Sequence, residues 1–140
     1  MVALESGSIA RAVHASNATP GIFSPVAHQG KLLVDGGVLD NVPVDVARKM
    51  GADIVIAVDL GEEAQTAQVN NIFDALVRSF FLAGRQGAEA KLKQADVVIR
   101  PKLANAGLID FSRKKESLAL GVQAAEQALP AIRAKLGVNR

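Results

Sequence analysis

Apolar positions along this chain alternate between helical and strand-like spacings. Ser6 to Ala18 carries Ile9, Ala12, Val13 and Ser16 at helical intervals, with Ser6 or Ser8 in place to cap the first turn. Thr19-Pro20-Gly21 should end that helix, because proline disfavours α geometry in the residue before it. After an irregular extended stretch, Val26-Ala27 and Lys31-Leu32-Leu33-Val34 flank His28-Gln29-Gly30. That predicts a hairpin whose second strand delivers Asp35. A helix from about Pro43 to Met50 should bury Val46, Ala47 and Met50, with Gly51 as a left-handed C-cap. Ile54-Val55-Ile56-Ala57-Val58 is an unbroken run rich in β-branched residues, the pattern of a parallel strand covered on both faces.

Beyond Asp59 and a polar loop from Gly61 to Asn70, the helical spacing returns. Asn70 or Asn71 caps a long helix that places Ile72, Phe73, Leu76, Val77, Phe80 and Phe81 on one face. It extends past Gly84 and Gly87 to about Gln94. Val97-Val98-Ile99 is a second short buried strand, ended by Pro101. A loop with Asn105 and Gly107 leads to a last helix with Leu118, Val122, Ala125, Leu129, Ile132 and Leu136 on one line, kinked or restarted at Pro130. The order helix, hairpin, helix, strand, helix, strand, helix is an α/β pattern. Yet two strands of the doubly covered type are few for so many helices. Either the domain is unusually small or further sheet comes from elsewhere.

Composition narrows the class. At 140 residues, 49% of them hydrophobic, the chain fits one domain with a sizeable core. Aromatics are only 4%, so that core must be mostly aliphatic. A net charge of +2 is too mild to argue for nucleic acid. No cysteine is present, which removes thiolate and disulfide chemistry. Met1 to Glu5 has no basic, signal-like start, and no apolar run reaches the length of a membrane span. The expectation is a soluble, cytoplasmic chain.

Chemistry concentrates between Leu32 and Pro43. A short strand runs into Asp35, then Gly36-Gly37, a polar turn with Asp40 and Asn41, and Pro43 opening a helix. Strand ends are where open α/β sheets build sites, and glycines let a second group approach a carboxylate. Taken alone, Asp-Gly is also an ordinary turn. Asp59, at the other strand end, reads as a solvated carboxylate. His14 and His28 lack companions at metal-ligand spacing, so no metal or other cofactor is expected. Arg113-Lys114-Lys115 reads as a solvated basic face with an anionic membrane surface as the rival account, and Phe80-Phe81 reads as core. None of the serines (Ser6, Ser8, Ser16, Ser24, Ser79, Ser112, Ser117) lies in G-x-S-x-G, and no glycine-rich run could form an oxyanion hole. The residues offer a base without a nucleophile.

Ala15-Ser16-Asn17-Ala18-Thr19-Pro20-Gly21-Ile22-Phe23-Ser24-Pro25-Val26 and Leu33-Val34-Asp35-Gly36-Gly37-Val38-Leu39-Asp40-Asn41-Val42-Pro43, in this order, resemble the patatin-like phospholipase family. The likeness runs on through Gly51 to Asp59 and, more loosely, through Ala95 to Pro101 and the last helix, closest to the bacterial members. It implies part of a three-layer α/β/α fold with a mostly parallel sheet, incomplete in this chain, and a serine lipid acyl hydrolase working through a Ser–Asp dyad. On this reading Asp35 is the general base, Gly36, Gly37 and Asn41 form its supporting loop, and the nucleophile is absent from the chain. The family's serine elbow and oxyanion loop precede the matching blocks, so residues 1–140 are expected to be the carboxyl-terminal part of a single domain. Met1 would then mark a truncation, a mis-set start or a fragment. The implied partners are a lipid ester or phospholipid, a membrane surface touched peripherally, and the missing amino-terminal half or a second copy. The competing expectation is an inactive module that binds a partner or lipid. A small nucleotide-binding domain is a third, weakened because Met50-Gly51-Ala52-Asp53 precedes its strand.

Overall fold

The computed structural model describes residues 1–61, 71–103 and 112–138. The loop expected from Gly61 to Asn70 lies, past Gly61, outside the described residues, as does the loop with Asn105 and Gly107. Two compact units make up the chain, Met1–Asn41 with Val69–Ala88, and Val42–Gln68 with Glu89–Arg140. Helices and a small parallel sheet give it an α/β fold. No described helix is long and apolar enough to cross a membrane.

In the first unit, helix α1 (Ile9–Ser16) begins at Ser8, whose hydroxyl oxygen accepts from the Arg11 N–H. Its apolar line is not the buried one. Ile9 and Val13 are exposed, whereas Ala15 and the following Ala18 pack with Val26 and Leu33. Small side chains let the helix end sit close to the hairpin, and the Arg11 guanidinium donates across to the Ala27 carbonyl at 2.8 Å. Strands β1 (Val26–His28) and β2 (Lys31–Leu33) pair antiparallel. The turn between them has Gln29 at φ 47° and Gly30 at φ 73°, the pair of positive values a two-residue primed turn demands. Helix α2 (Ile72–Gly84) completes the unit. The long helix expected there stops at Gly84, and Gly87, with φ 84°, separates it from the short helix that follows. Ile72 and Leu76 are exposed rather than core, and Phe80 is over a third exposed.

The second unit centres on Val42, Val44, Val55, Ala57 and Leu92, contributed by its first loop, helix α3 (Val44–Lys49), strand β3 (Ile56–Val58) with the residue before it, and helix α4 (Ala88–Leu92). Helix α3 buries Val44 instead of Met50, which is exposed, while Val46 and Ala47 are half-buried. Gly51 takes φ 91°, as a left-handed cap requires. Strand β3 pairs parallel with β4 (Val97–Ile99) in the register Ile56↔Val97, Ala57↔Val98, Val58↔Ile99. Ala57 and Val98 face the core just named. On the other side Val97 and Ile99 are buried, but Ile56 and Val58 are 42% and 55% exposed. The expectation of two covered faces therefore fails for β3. Helix α5 (Lys114–Leu136) packs along β4, runs unbroken through Pro130 and ends at Gly137 with φ 68°.

Of the apolar line expected on that helix, only Ala125 and Ile132 are half-buried. Leu118, Val122, Leu129 and Leu136 are exposed, and Leu120, Ala124, Ala128 and Ile132 are half-buried. Both sets repeat at helical spacing, so periodicity could not choose between them. One arginine ties the unit together. Arg48 donates to the carbonyls of Ala52, Asp53 and Gln94 and pairs with Asp96. Asp96 in turn accepts from the Val55 N–H at 2.9 Å and lies 3.5 Å from Lys135 Nζ.

Candidate active site

Asp35 follows β2 by two residues, and its backbone N–H donates to the Ala18 carbonyl at 3.0 Å. This bond sets the end of the hairpin against the turn that follows α1. The chain then closes into a single 3-10 turn, Gly36–Val38, for which Asp35 is the N-cap. Its Oδ1 accepts from the Gly37 N–H at 2.8 Å, and its Oδ2 accepts from the Thr19 hydroxyl at 2.8 Å. Asp35, Thr19 and Gly37 are all half-buried, so the carboxylate is held without being sealed off from an approaching group. Each oxygen carries one donor and keeps acceptor capacity for another.

A sharp turn is not what the two glycines provide. Neither Gly36 nor Gly37 has a positive φ. A Cβ on Gly36 would meet nothing within 4 Å, which leaves that side of the loop open. A Cβ on Gly37 would stand 3.1 Å from Asp35 Oδ1 and 3.2 Å from Asn41 Oδ1, crowding both polar side chains. Asn41 is exposed and makes no hydrogen bond to Asp35, so its place in the supporting loop is one of proximity. A third glycine closes the loop from behind. At Gly84, the last residue of α2, a Cβ would fall 1.7 Å from the Gly37 carbonyl oxygen, so helix and loop touch backbone to backbone. Thr19 and Gly84 are site residues that local sequence does not mark. A threonine before proline and a glycine in a helix carry no distinguishing signal until the tertiary contact is seen.

The family model for patatin-like phospholipases matches residues 2–48, the stretch that contains Thr19, Asp35 and Gly37. The chain belongs to the patatin-like phospholipase family. Lysophospholipase NTE1 of Scheffersomyces stipitis is 30% identical over 149 residues, which takes in 88% of this chain and 10% of that protein. Patatin-like phospholipase domain-containing protein 7 of Mus musculus is 46% identical over 72 residues, covering 50% of this chain and 5% of its own length. Patatin-like phospholipase domain-containing protein 6 of Mus musculus is 44% identical over 64 residues, 44% of this chain and 5% of its own. The chain thus spans about a tenth or less of these curated relatives.

Members of this family are lipid hydrolases by name, and in this chain the family's match brings one carboxylate into a built loop. Among the described residues no serine is bonded to Asp35. Asp59, expected to be solvated, is the opposite. It is 2% exposed, accepts from the Gly61 N–H at 2.9 Å and pairs with Arg100 Nε at 3.2 Å. Arg100 also holds Glu89 at 2.9 Å. Burial works against its charge, but hydrogen bonds and attraction from Asp59 and Glu89 outweigh that and raise its pKa further. This cluster fixes the end of β3 to the end of β4. Arg113 pairs with Glu116 in the first turn of α5, while Lys114 and Lys115 are exposed.

Proposed function

We propose that this chain supplies the acid–base half of a lipid acyl hydrolase, with Asp35 as general base and the serine nucleophile on residues outside the chain. The observation that supports it most directly is the carboxylate itself, fixed at both oxygens by Thr19 and the Gly37 N–H and still half-exposed beside an open Gly36. An approaching serine hydroxyl would donate to the remaining acceptor capacity of Asp35. As the oxygen attacks the ester carbonyl, its proton passes to the carboxylate with no histidine between them. The tetrahedral adduct collapses to an acyl-enzyme, and the proton goes to the departing lysolipid or alcohol oxygen. Water then repeats the sequence in reverse and releases the fatty acid. The oxyanion donors, like the serine, come from outside these residues.

Residues 1–140 are on this reading the carboxyl-terminal part of one patatin-like domain. The half-exposed side of β3 at Ile56 and Val58, and its pairing with β4 alone among the described strands, fit a sheet that continues in other sequence. That sequence is either an amino-terminal half or a second copy. Lipid ester or phospholipid is the substrate class, and contact with a lipid surface follows from it. The same exposed apolar residues favour the second reading, a non-catalytic module that binds a partner or lipid through this face.

One experiment separates the readings. The 140-residue chain alone should neither hydrolyse a p-nitrophenyl acyl ester nor take up a fluorophosphonate. The gene product expressed with every in-frame codon upstream of residue 1 should do both, and Asp35→Asn should lower its hydrolysis by about 10²–10⁴-fold. Fluorophosphonate on any serine of this chain would overturn the proposal. An in-frame stop close to residue 1, with a well-behaved oligomer by light scattering, would favour the binding module.

A further inference from the structure

We infer that Thr19 is a positioning residue for Asp35, an inference that rests on Asp35 acting as the base. The two bonds to the Asp35 carboxylate differ in kind. Gly37 lies two residues on, in the same short turn, and its N–H moves with that turn. Thr19 reaches the carboxylate from 16 residues away and belongs to a separately braced segment. Its own N–H donates to the Asn17 carbonyl at 2.8 Å, and its carbonyl accepts from Ile22 and Phe23, each at 3.0 Å. Its neighbour Ala18, at 0% exposure, accepts from the Asp35 N–H. Successive residues of one turn thus grip the backbone and the side chain of Asp35. Threonine suits this task, since β-branching limits its rotamers and aims the hydroxyl at small entropic cost.

A hydroxyl 2.8 Å from a carboxylate is also the geometry of a nucleophile beside its base. Here the structure assigns it the other role. The Gly37 N–H beside it already serves Asp35 and is not free to stabilise an oxyanion formed on Thr19. The hydroxyl instead selects one carboxylate orientation and leaves the other lone pairs for an incoming donor.

Three-bond couplings from the Asp35 carboxyl carbon to its backbone nitrogen and carbonyl report the side-chain rotamer in the isotope-labelled chain. The natural chain and Thr19→Ser should show one rotamer, and Thr19→Val, which keeps the shape and loses the donor, should show averaging. Amide shifts outside the two loops should stay in place. In the hydrolysis-competent gene product, Thr19→Val should lower kcat on the order of 10- to 100-fold, as expected for a misplaced group. KM should change by less than about twofold, because substrate binding is untouched. Thr19→Ser should recover most of kcat. A single Asp35 rotamer in Thr19→Val, an unchanged kcat, or fluorophosphonate on Thr19 would each overturn the inference. Asp35→Asn serves as the reference. If it abolishes hydrolysis while Thr19→Val leaves kcat unchanged, only the role of Thr19 falls. If it leaves hydrolysis intact, the base assignment falls and takes the role of Thr19 with it.

Discussion

Gly84→Ala should destabilise the chain, although alanine is the better helix former. Gly84 ends α2 with an ordinary helical φ, so alanine fits the backbone and would by propensity add about 0.5–1 kcal/mol. Against that, the new Cβ would lie 1.7 Å from the Gly37 carbonyl oxygen and 2.9 Å from its carbon. Reaching even a 3.0 Å contact requires the helix end and the Asp35 loop to separate by 1.3 Å. The obstacle is backbone on both sides, with no flexible side chain to yield. Overpacking of this kind costs about 1–3 kcal/mol, and a clash with backbone belongs at the upper end, so the net loss should be near 2 kcal/mol. With a urea m-value of about 1–3 kcal/mol/M, the midpoint should fall on the order of 1 M. Gly121→Ala is the internal control. Gly121 sits inside α5 with nothing within 4 Å of its would-be Cβ, so it should be neutral or stabilising by about 0.5–1 kcal/mol. Urea unfolding followed by far-ultraviolet circular dichroism compares the two directly. If Gly84→Ala is as stable as the natural chain, or shifts in the same direction as Gly121→Ala, the backbone contact between α2 and the Asp35 loop is not what holds that loop.

Other perturbations test the second unit. The Val55 N–H and Arg48, with a smaller part from Lys135, hold the Asp96 pKa below its ordinary 3.8. A depressed folded value means the unfolded chain takes up the proton first as pH falls. The stabilisation is therefore complete above the ordinary carboxylate value and is lost as pH drops through the lowered one. Thermal melts should show the natural chain losing its advantage over Asp96→Asn only below about pH 4, and a constant difference down to pH 2 would refute the linkage. Arg100→Leu removes a donor from the buried Asp59 and should cost about 1–3 kcal/mol in urea unfolding. Glu89→Gln, at the other end of the same guanidinium but 63% exposed, should stay within about 0.5 kcal/mol, and equal losses would show that burial is not what distinguishes the two partners.

Much of the fold was readable because local chemistry decides it. Ser8 before an apolar repeat, Gln29-Gly30 between alternating runs and Gly51 after α3 each do in three dimensions what their type favours locally. Helix faces were less legible. On α1 the large residues Ile9 and Val13 are exposed and the alanines go inside, because the neighbouring hairpin allows only a close approach. On α5 two apolar lines compete, and the choice depends on which one β4 meets. The burial of Asp59 was missed for a related reason. Its cation lies 41 residues away, just past the end of β4, beyond any local pattern.

The candidate site divides along the same line. Asp35, Gly36 and Gly37 stood out because a carboxylate at a strand end beside glycines is a local signature. What turns that signature into a held carboxylate is nonlocal. Thr19 supplies one donor, Ala18 fixes the backbone, and Gly84 gives the helix end room to press against the Gly37 carbonyl. An isolated Asp-Gly-Gly turn has only the Gly37 N–H to orient its carboxylate, a bond that most such turns could form. The extra contacts come from segments well separated along the chain and converge on one side chain. A structural turn needs no such convergence, because a cap at one oxygen already closes it. For a base awaiting a hydroxyl from other sequence, a fixed orientation is what makes proton transfer efficient once that hydroxyl arrives. On the proposed reading, the second donor at Asp35 Oδ2 is what distinguishes this loop from a turn closed by its cap alone.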